Sequence, residues 1–117
     1  AGAGAEPSGT AEERLRHKVR AEVGAVDRPL IVSVGRLAEH QGYDAALTAS
    51  RAWRHFEPPP LFAIAGEGAE RAALQRRIDE EDLPVRLLGR REDALQLLAG
   101  ADVAVLASRW EARSLFA

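Results

Sequence analysis

Four short apolar runs, each preceded by a stretch of helical periodicity, constrain this 117-residue chain more than any other feature. The runs are LIVSV (Leu30–Val34), LFAIA (Leu61–Ala65), VRLL (Val85–Leu88) and DVAVL (Asp102–Leu106). Near-continuous apolar segments this short suit parallel strands covered on both faces. The helical patterns span Ala11–Val23, Tyr43–Phe56, Glu70–Asp82 and Asp93–Ala99. The second places Tyr43, Ala46, Leu47, Ala49, Ser50 and Trp53 on one stripe, the third Leu74 and Ile78, the fourth Leu95 and Leu98. Strict alternation of the two element types predicts right-handed crossovers and an α/β fold with a parallel sheet between helices.

Punctuation supports these boundaries. Thr10 with Glu13 matches a capping box, and Gly24 follows the first pattern where a C-cap belongs. Residues 1–10 are rich in Ala and Gly without periodicity, and read as a flexible leader or interdomain linker before a domain over 11–117.

Composition excludes several classes of function. A net charge of -2 argues against a dedicated nucleic-acid binder. With zero cysteines there is no disulfide framework, thiol nucleophile or Cys-based zinc site. This fits a reducing compartment, and the expected location is cytoplasmic. No apolar run approaches the ~20 residues of a membrane-spanning helix, and no secretory signal pattern is visible. His17, His40 and His55 lack metal-ligand spacing, so no metal is expected.

Open parallel sheets bind ligands outside the carboxyl ends of their strands. The informative residues are therefore those just after each run. After the first come Gly35 and Arg36. Glycine permits a sharp turn, and arginine offers a planar fork for phosphate. A helix opening near Gly42 would aim its free N–H groups at the same space. The pair reads either as a phosphate clamp or as an exposed arginine beside a turn. Gly66-Glu67-Gly68 has the first half of a dinucleotide fingerprint, with Arg71 where the last glycine would stand. It reads either as a ligand loop, with Glu67 toward a hydroxyl, or as a tight turn docking a helix. Gly89, Arg90 and Arg91 follow the third run, as ligand loop or solvated charge. Arg109, Glu111 and Arg113 follow the fourth, as polyhydroxyl-binding groups or a neutralised surface.

Together, LIVSVGRLAEHQGYDAAL, LFAIAGEGAERAALQRRI and LPVRLLGRREDALQLLAGADVAVLASRWEARSL resemble the donor-binding domain of GT-B glycosyltransferases. The resemblance runs from about Arg28 to Ala117. It is nearest the retaining, nucleotide-sugar-dependent group numbered family four. It implies a Rossmann-like sheet in strand order 3-2-1-4-5-6, of which about four strands are present. The resemblance thus implies a partial C-terminal domain, with 85–88 and 102–106 as edges. In the family an arginine and a lysine grip the donor diphosphate. Arg36 matches the arginine, while Gln41 holds the lysine position. Glu111 matches the first glutamate of a Glu-x7-Glu motif that holds the donor sugar, and is the expected catalytic residue. Ala112 stands where the family usually has glycine, followed by Arg113 and Ser114 in the same donor loop. The segment at Gly89-Arg90 resembles the place where the base is held.

The expected function is the donor half of a retaining glycosyltransferase. The nucleotide sugar is its donor, and the acceptor is held by a further N-terminal domain. Alone, the chain is expected to be inactive and to self-associate through its free sheet edge. The alternative is a non-catalytic nucleotide- or sugar-phosphate-binding or interaction module, which Gln41 and Ala112 favour.

Overall fold

The computed structural model describes residues 10–106. Its first helix, α1 (Ala11–Val23), starts at a complete capping box. The Glu13 N–H donates to Thr10 Oγ1 at 2.9 Å, and the Thr10 N–H donates back to Glu13 Oε1 at 3.4 Å. Gly24 ends the helix in the left-handed region, with φ 87°.

Four strands follow in alternation with three further helices. They are β1 (Leu30–Val34), α2 (Tyr43–Ser50), β2 (Leu61–Ala65), α3 (Arg71–Glu81), β3 (Val85–Gly89), α4 (Ala94–Gly100) and β4 (Val103–Leu106). All strand pairs are parallel, in the spatial order β3-β2-β1-β4. That is the order expected from the sequence. β2 is buried along its whole length, between β1 and β3 and between two helical layers.

Each sheet face has its own core. Leu37, Tyr43, Leu47, Phe62, Ile64, Leu74, Ile78 and Val85 pack together beneath α2 and α3. Val19, Val23, Leu30, Val32, Leu61, Ala63 and Leu97 pack beneath α1 and α4. Alternate residues of β1 and β2 thus serve opposite cores, as strand periodicity requires. The one hydroxyl in β1, Ser33, is buried and lies 2.9 Å from the Tyr43 hydroxyl. Burial pushes the Tyr43 phenol above its ordinary range, opposed by the bond to Ser33.

The structure corrects several expectations. The helix expected over 43–56 is α-helical only to Ser50, and continues as a 3-10 helix over Arg51–His55. Ser50 Oγ donates to the Leu47 carbonyl at 2.7 Å, and three prolines follow at 58–60. Ala49 lies outside the buried stripe; Trp53 is half-buried, edge-on to Phe62 at 5.9 Å. In α4 the buried leucine is Leu97, while Leu95 is 81% exposed. The third strand extends one residue further, to Gly89. As expected for 102–106, β4 is an edge of the sheet among the described residues, and Val103 there is 51% exposed.

The amino-terminal end of the sheet is closed by a polar network. Arg20 donates to the Gly100 carbonyl, to Asp102 Oδ2 and to the Arg28 carbonyl at 3.1, 3.1 and 2.6 Å. Asp102 Oδ2 also accepts the Leu30 N–H at 2.7 Å. That backbone bond, aided by Arg20, holds the Asp102 carboxyl below its usual range. Among the described residues, no comparable side-chain network closes the carboxyl end of the sheet.

Candidate functional site

Three loops meet at the carboxyl end of the sheet. The Gly35 N–H donates to the Ala65 carbonyl at 3.0 Å, extending the β1–β2 ladder past the strands. The Leu37 N–H donates to the Glu67 carbonyl at 3.0 Å, and the Glu70 N–H returns to the Leu37 carbonyl at 2.9 Å. The Gly66 N–H donates to the Gly89 carbonyl at 2.7 Å. The loops after β1, β2 and β3 are thereby tied into one rim.

The spacing of that rim explains two glycines. A Cβ at Gly66 would collide with the Gly35 carbonyl oxygen, and one at Gly68 with the Leu37 carbonyl. These glycines admit a neighbouring backbone, so the half-fingerprint has a packing role in its own right.

The side chains on the rim fall into two groups. Arg71 pairs with Glu67 one helical turn earlier. Arg91 grips Asp93 through Nε and Nη2 at 2.9 and 2.8 Å and lies 3.7 Å from Glu22. It is therefore engaged, and its partners hold its guanidinium pKa above the ordinary value. The other group is Arg36 and Arg90. Both are exposed, and among the described residues neither guanidinium has a hydrogen-bond or ion-pair partner. Of the other described arginines, only Arg76 on α3 shares that condition. Unpartnered arginine thus stands at the carboxyl ends of β1 and β3, where an anion would be received.

Gln41 ends the 3-10 turn Glu39–Gln41, one residue before Gly42 and α2. Its amide nitrogen lies 3.3 Å from His40 Nε2. No side chain caps the amino terminus of α2.

Gly35, Arg36, Gly66, Glu67, Gly68, Gly89 and Arg90 therefore share one edge of the molecule, with Gln41 at the next turn of chain. Glu111, Ala112, Arg113 and Ser114 lie outside the described residues. Sequence reasoning passed over Arg71, although its i,i+4 spacing from Glu67 was a visible signal for the pair. Two hollows of about 310 and 300 Å³ run along α1, lined by Glu13, Arg16, His17 and Arg20 and by Glu12, Leu15 and Ala99. Arg16 and Arg20 there are already engaged by Asp102, which leaves the rim as the better anion receiver.

The family model for glycosyl transferases group 1 matches residues 16–116. The chain belongs to this family. Solved structures share the fold of this group 1 chain. HepE from Anabaena, in complex with UDP-glucose, superposes with a TM-score of 0.67 at 21% identity, over 78% of this chain and 26% of that one. TarM gives 0.61 at 16% identity, over 66% and 16%. The catalytic domain of cholesterol-α-glucosyltransferase from Helicobacter pylori gives 0.60 at 15% identity, over 74% and 56%. The chain thus spans 16% of TarM and 26% of HepE. No curated protein matches the sequence. Among the described residues of this group 1 chain, no helix is long and apolar enough to cross a membrane.

Proposed function

We propose that this chain is the donor-binding part of a glycosyltransferase that moves a sugar from a nucleotide-diphosphate sugar to an acceptor with retention. The observation that carries the reading is Arg36, an exposed arginine at the carboxyl end of β1 whose guanidinium has no partner among the described residues. A diphosphate leaving group gains negative charge as the glycosidic bond breaks, and preorganised cations and N–H donors stabilise that charge. Arg36 is proposed to supply the cation, and the start of α2, which no side chain caps, backbone donors. Gln41 lies beside them as a neutral contact. Glu111 is proposed to hold the donor sugar, and Ala112, Arg113 and Ser114 to complete the donor loop. Gly35, Gly66, Gly68, Gly89 and Arg90 are proposed to form the rim against which the nucleotide lies, with Glu67 on the same rim but not in contact with it.

Two relatives support the class of ligand. HepE was solved with UDP-glucose, and the pneumococcal O-GlcNAc transferase GtfA with UDP and GlcNAc. The same reading assigns charge neutralisation to arginine with no resident metal. It places the acceptor in a second domain and the protein in the cytoplasm. The second reading is a non-catalytic nucleotide-binding module, favoured by the neutral Gln41.

Calorimetry of the chain with UDP, GDP and ADP tests the proposal. At least one should bind, and R36A should weaken it by about 10- to 100-fold, the value of a charge-assisted bond. The chain alone should transfer no sugar. Equal affinity in R36A would move the diphosphate elsewhere, and binding of none would remove the nucleotide reading.

A further inference from the structure

Glu67 follows β2, the middle of the three strands whose loops form the rim. β2 lies between β1 and β3, and neighbouring parallel strands are about 4.8 Å apart. Arg36 and Arg90 therefore leave the sheet roughly 10 Å apart, with Glu67 in the loop that follows the strand between them. An unmasked carboxylate there would lie within a Debye length, about 8–10 Å, of a phosphate held by Arg36, and would repel it.

The structure shows that this carboxylate is not free. Arg71, on the first turn of α3, pairs with it. The pair leans over the end of β3. A Cβ at Gly89 would lie 3.1 Å from Glu67 Oε2 and 3.3 Å from Arg71 Nη1, and Gly89 has a φ of 77° that disfavours any side chain. The Glu67 backbone is fixed too, through its carbonyl and the Leu37 N–H. The side chains are 50% and 43% exposed, so the pair contributes little to folding. Its location, in the loop after β2 and against Gly89, gives it a different use.

We infer that Arg71 is a positioning residue: it holds the Glu67 carboxylate against Gly89 and masks its charge, keeping the rim receptive to a nucleoside diphosphate. This rests on the donor-site reading above. It assigns Glu67 no direct bond to the ligand, and Arg71 no direct bond to phosphate.

Calorimetry with UDP, GDP and ADP on four chains tests it: wild type, R71Q, R71K and R71Q/E67Q, each checked for wild-type circular dichroism. R71Q, which frees a negative charge, should bind about 3- to 10-fold more weakly. R71K, which keeps the cation, should stay near wild type. The double variant should return to within about twofold of wild type, because the charge to be masked is gone. High salt should shrink the R71Q defect. A purely structural role would leave the double variant at least as weak as R71Q, and so would direct contact of either side chain with the ligand. That result overturns the inference. So does R71Q binding as well as wild type, or R71K binding as weakly as R71Q. If wild type itself binds none of the three nucleotides, the donor-site reading fails and the inference with it. Wild-type binding without the charge rescue sinks the inference alone.

Discussion

Arg36 and Gln41 show how much a single side chain decides at this rim. Arg36 has an open guanidinium at the end of β1, and Gln41 has its amide beside His40. A neutral amide at an anion site forfeits the charge-assisted part of a hydrogen bond, about 1 kcal/mol or more. Q41K should therefore tighten the bound nucleoside diphosphate by about fivefold to tenfold in calorimetry. Unchanged or weaker affinity would place Gln41 outside the diphosphate contacts.

Contacts between elements set the stability of the face that carries α2 and α3. Arg77 on α3 donates to Glu81 at 2.9 and 3.2 Å. It also reaches across to the Asp44 carbonyl and carboxylate at 3.0 and 3.2 Å and to Thr48 Oγ1 at 3.2 Å. Arg51, beyond α2, donates to the same Glu81 at 2.9 Å. Arg77 first, and Arg51 second, pull the Glu81 carboxyl from 4.5 to about 2. A folded-state pKa below the unfolded one stabilises the fold above the unfolded value. That contribution should be present above pH 4.5 and lost as pH falls from 4.5 toward 2. E81Q should lower stability at neutral pH and flatten the acid limb of a denaturation series in that window. An E81Q curve parallel to wild type between those pH values would show that the helices do not depend on this charge.

At the scale of the whole molecule, the sheet ends in β4 among the described residues, with Val103 half-exposed and Leu95 nearby on α4 more so. An apolar strand with a free edge is a template for another strand. Concentration-dependent association in light scattering is the expected behaviour, and V103K should reduce it by placing a charge on that edge. A wild-type chain that stays monomeric over a wide concentration range would show that the edge is protected in another way.

Much of the fold was legible in the residues themselves. The apolar runs placed all four strands to within a residue, and Thr10, Glu13 and Gly24 marked both ends of α1. Local chemistry suffices there, because capping bonds and buried strands are properties of short segments. Gly35, Arg36, Gly66, Gly68, Gly89 and Arg90 were also visible as candidates, since they follow strands whose carboxyl ends must share one edge. Helix details were less legible. Ala49 and Ser50 are neighbours with opposite fates, and Leu97 is buried where Leu95 is exposed, because the periodicity of a short helix alone does not fix which side packs on the sheet. Charge pairing was the part that only tertiary structure decided. Fifteen arginines look alike in the sequence. Which of them meet a carboxylate depends on groups brought together from distant parts of the chain, as when Arg20 meets Asp102 and Arg77 meets Asp44. Only after those pairings are made do Arg36 and Arg90 stand out at the rim, because a cation is free to hold a ligand when the fold has given it no other partner.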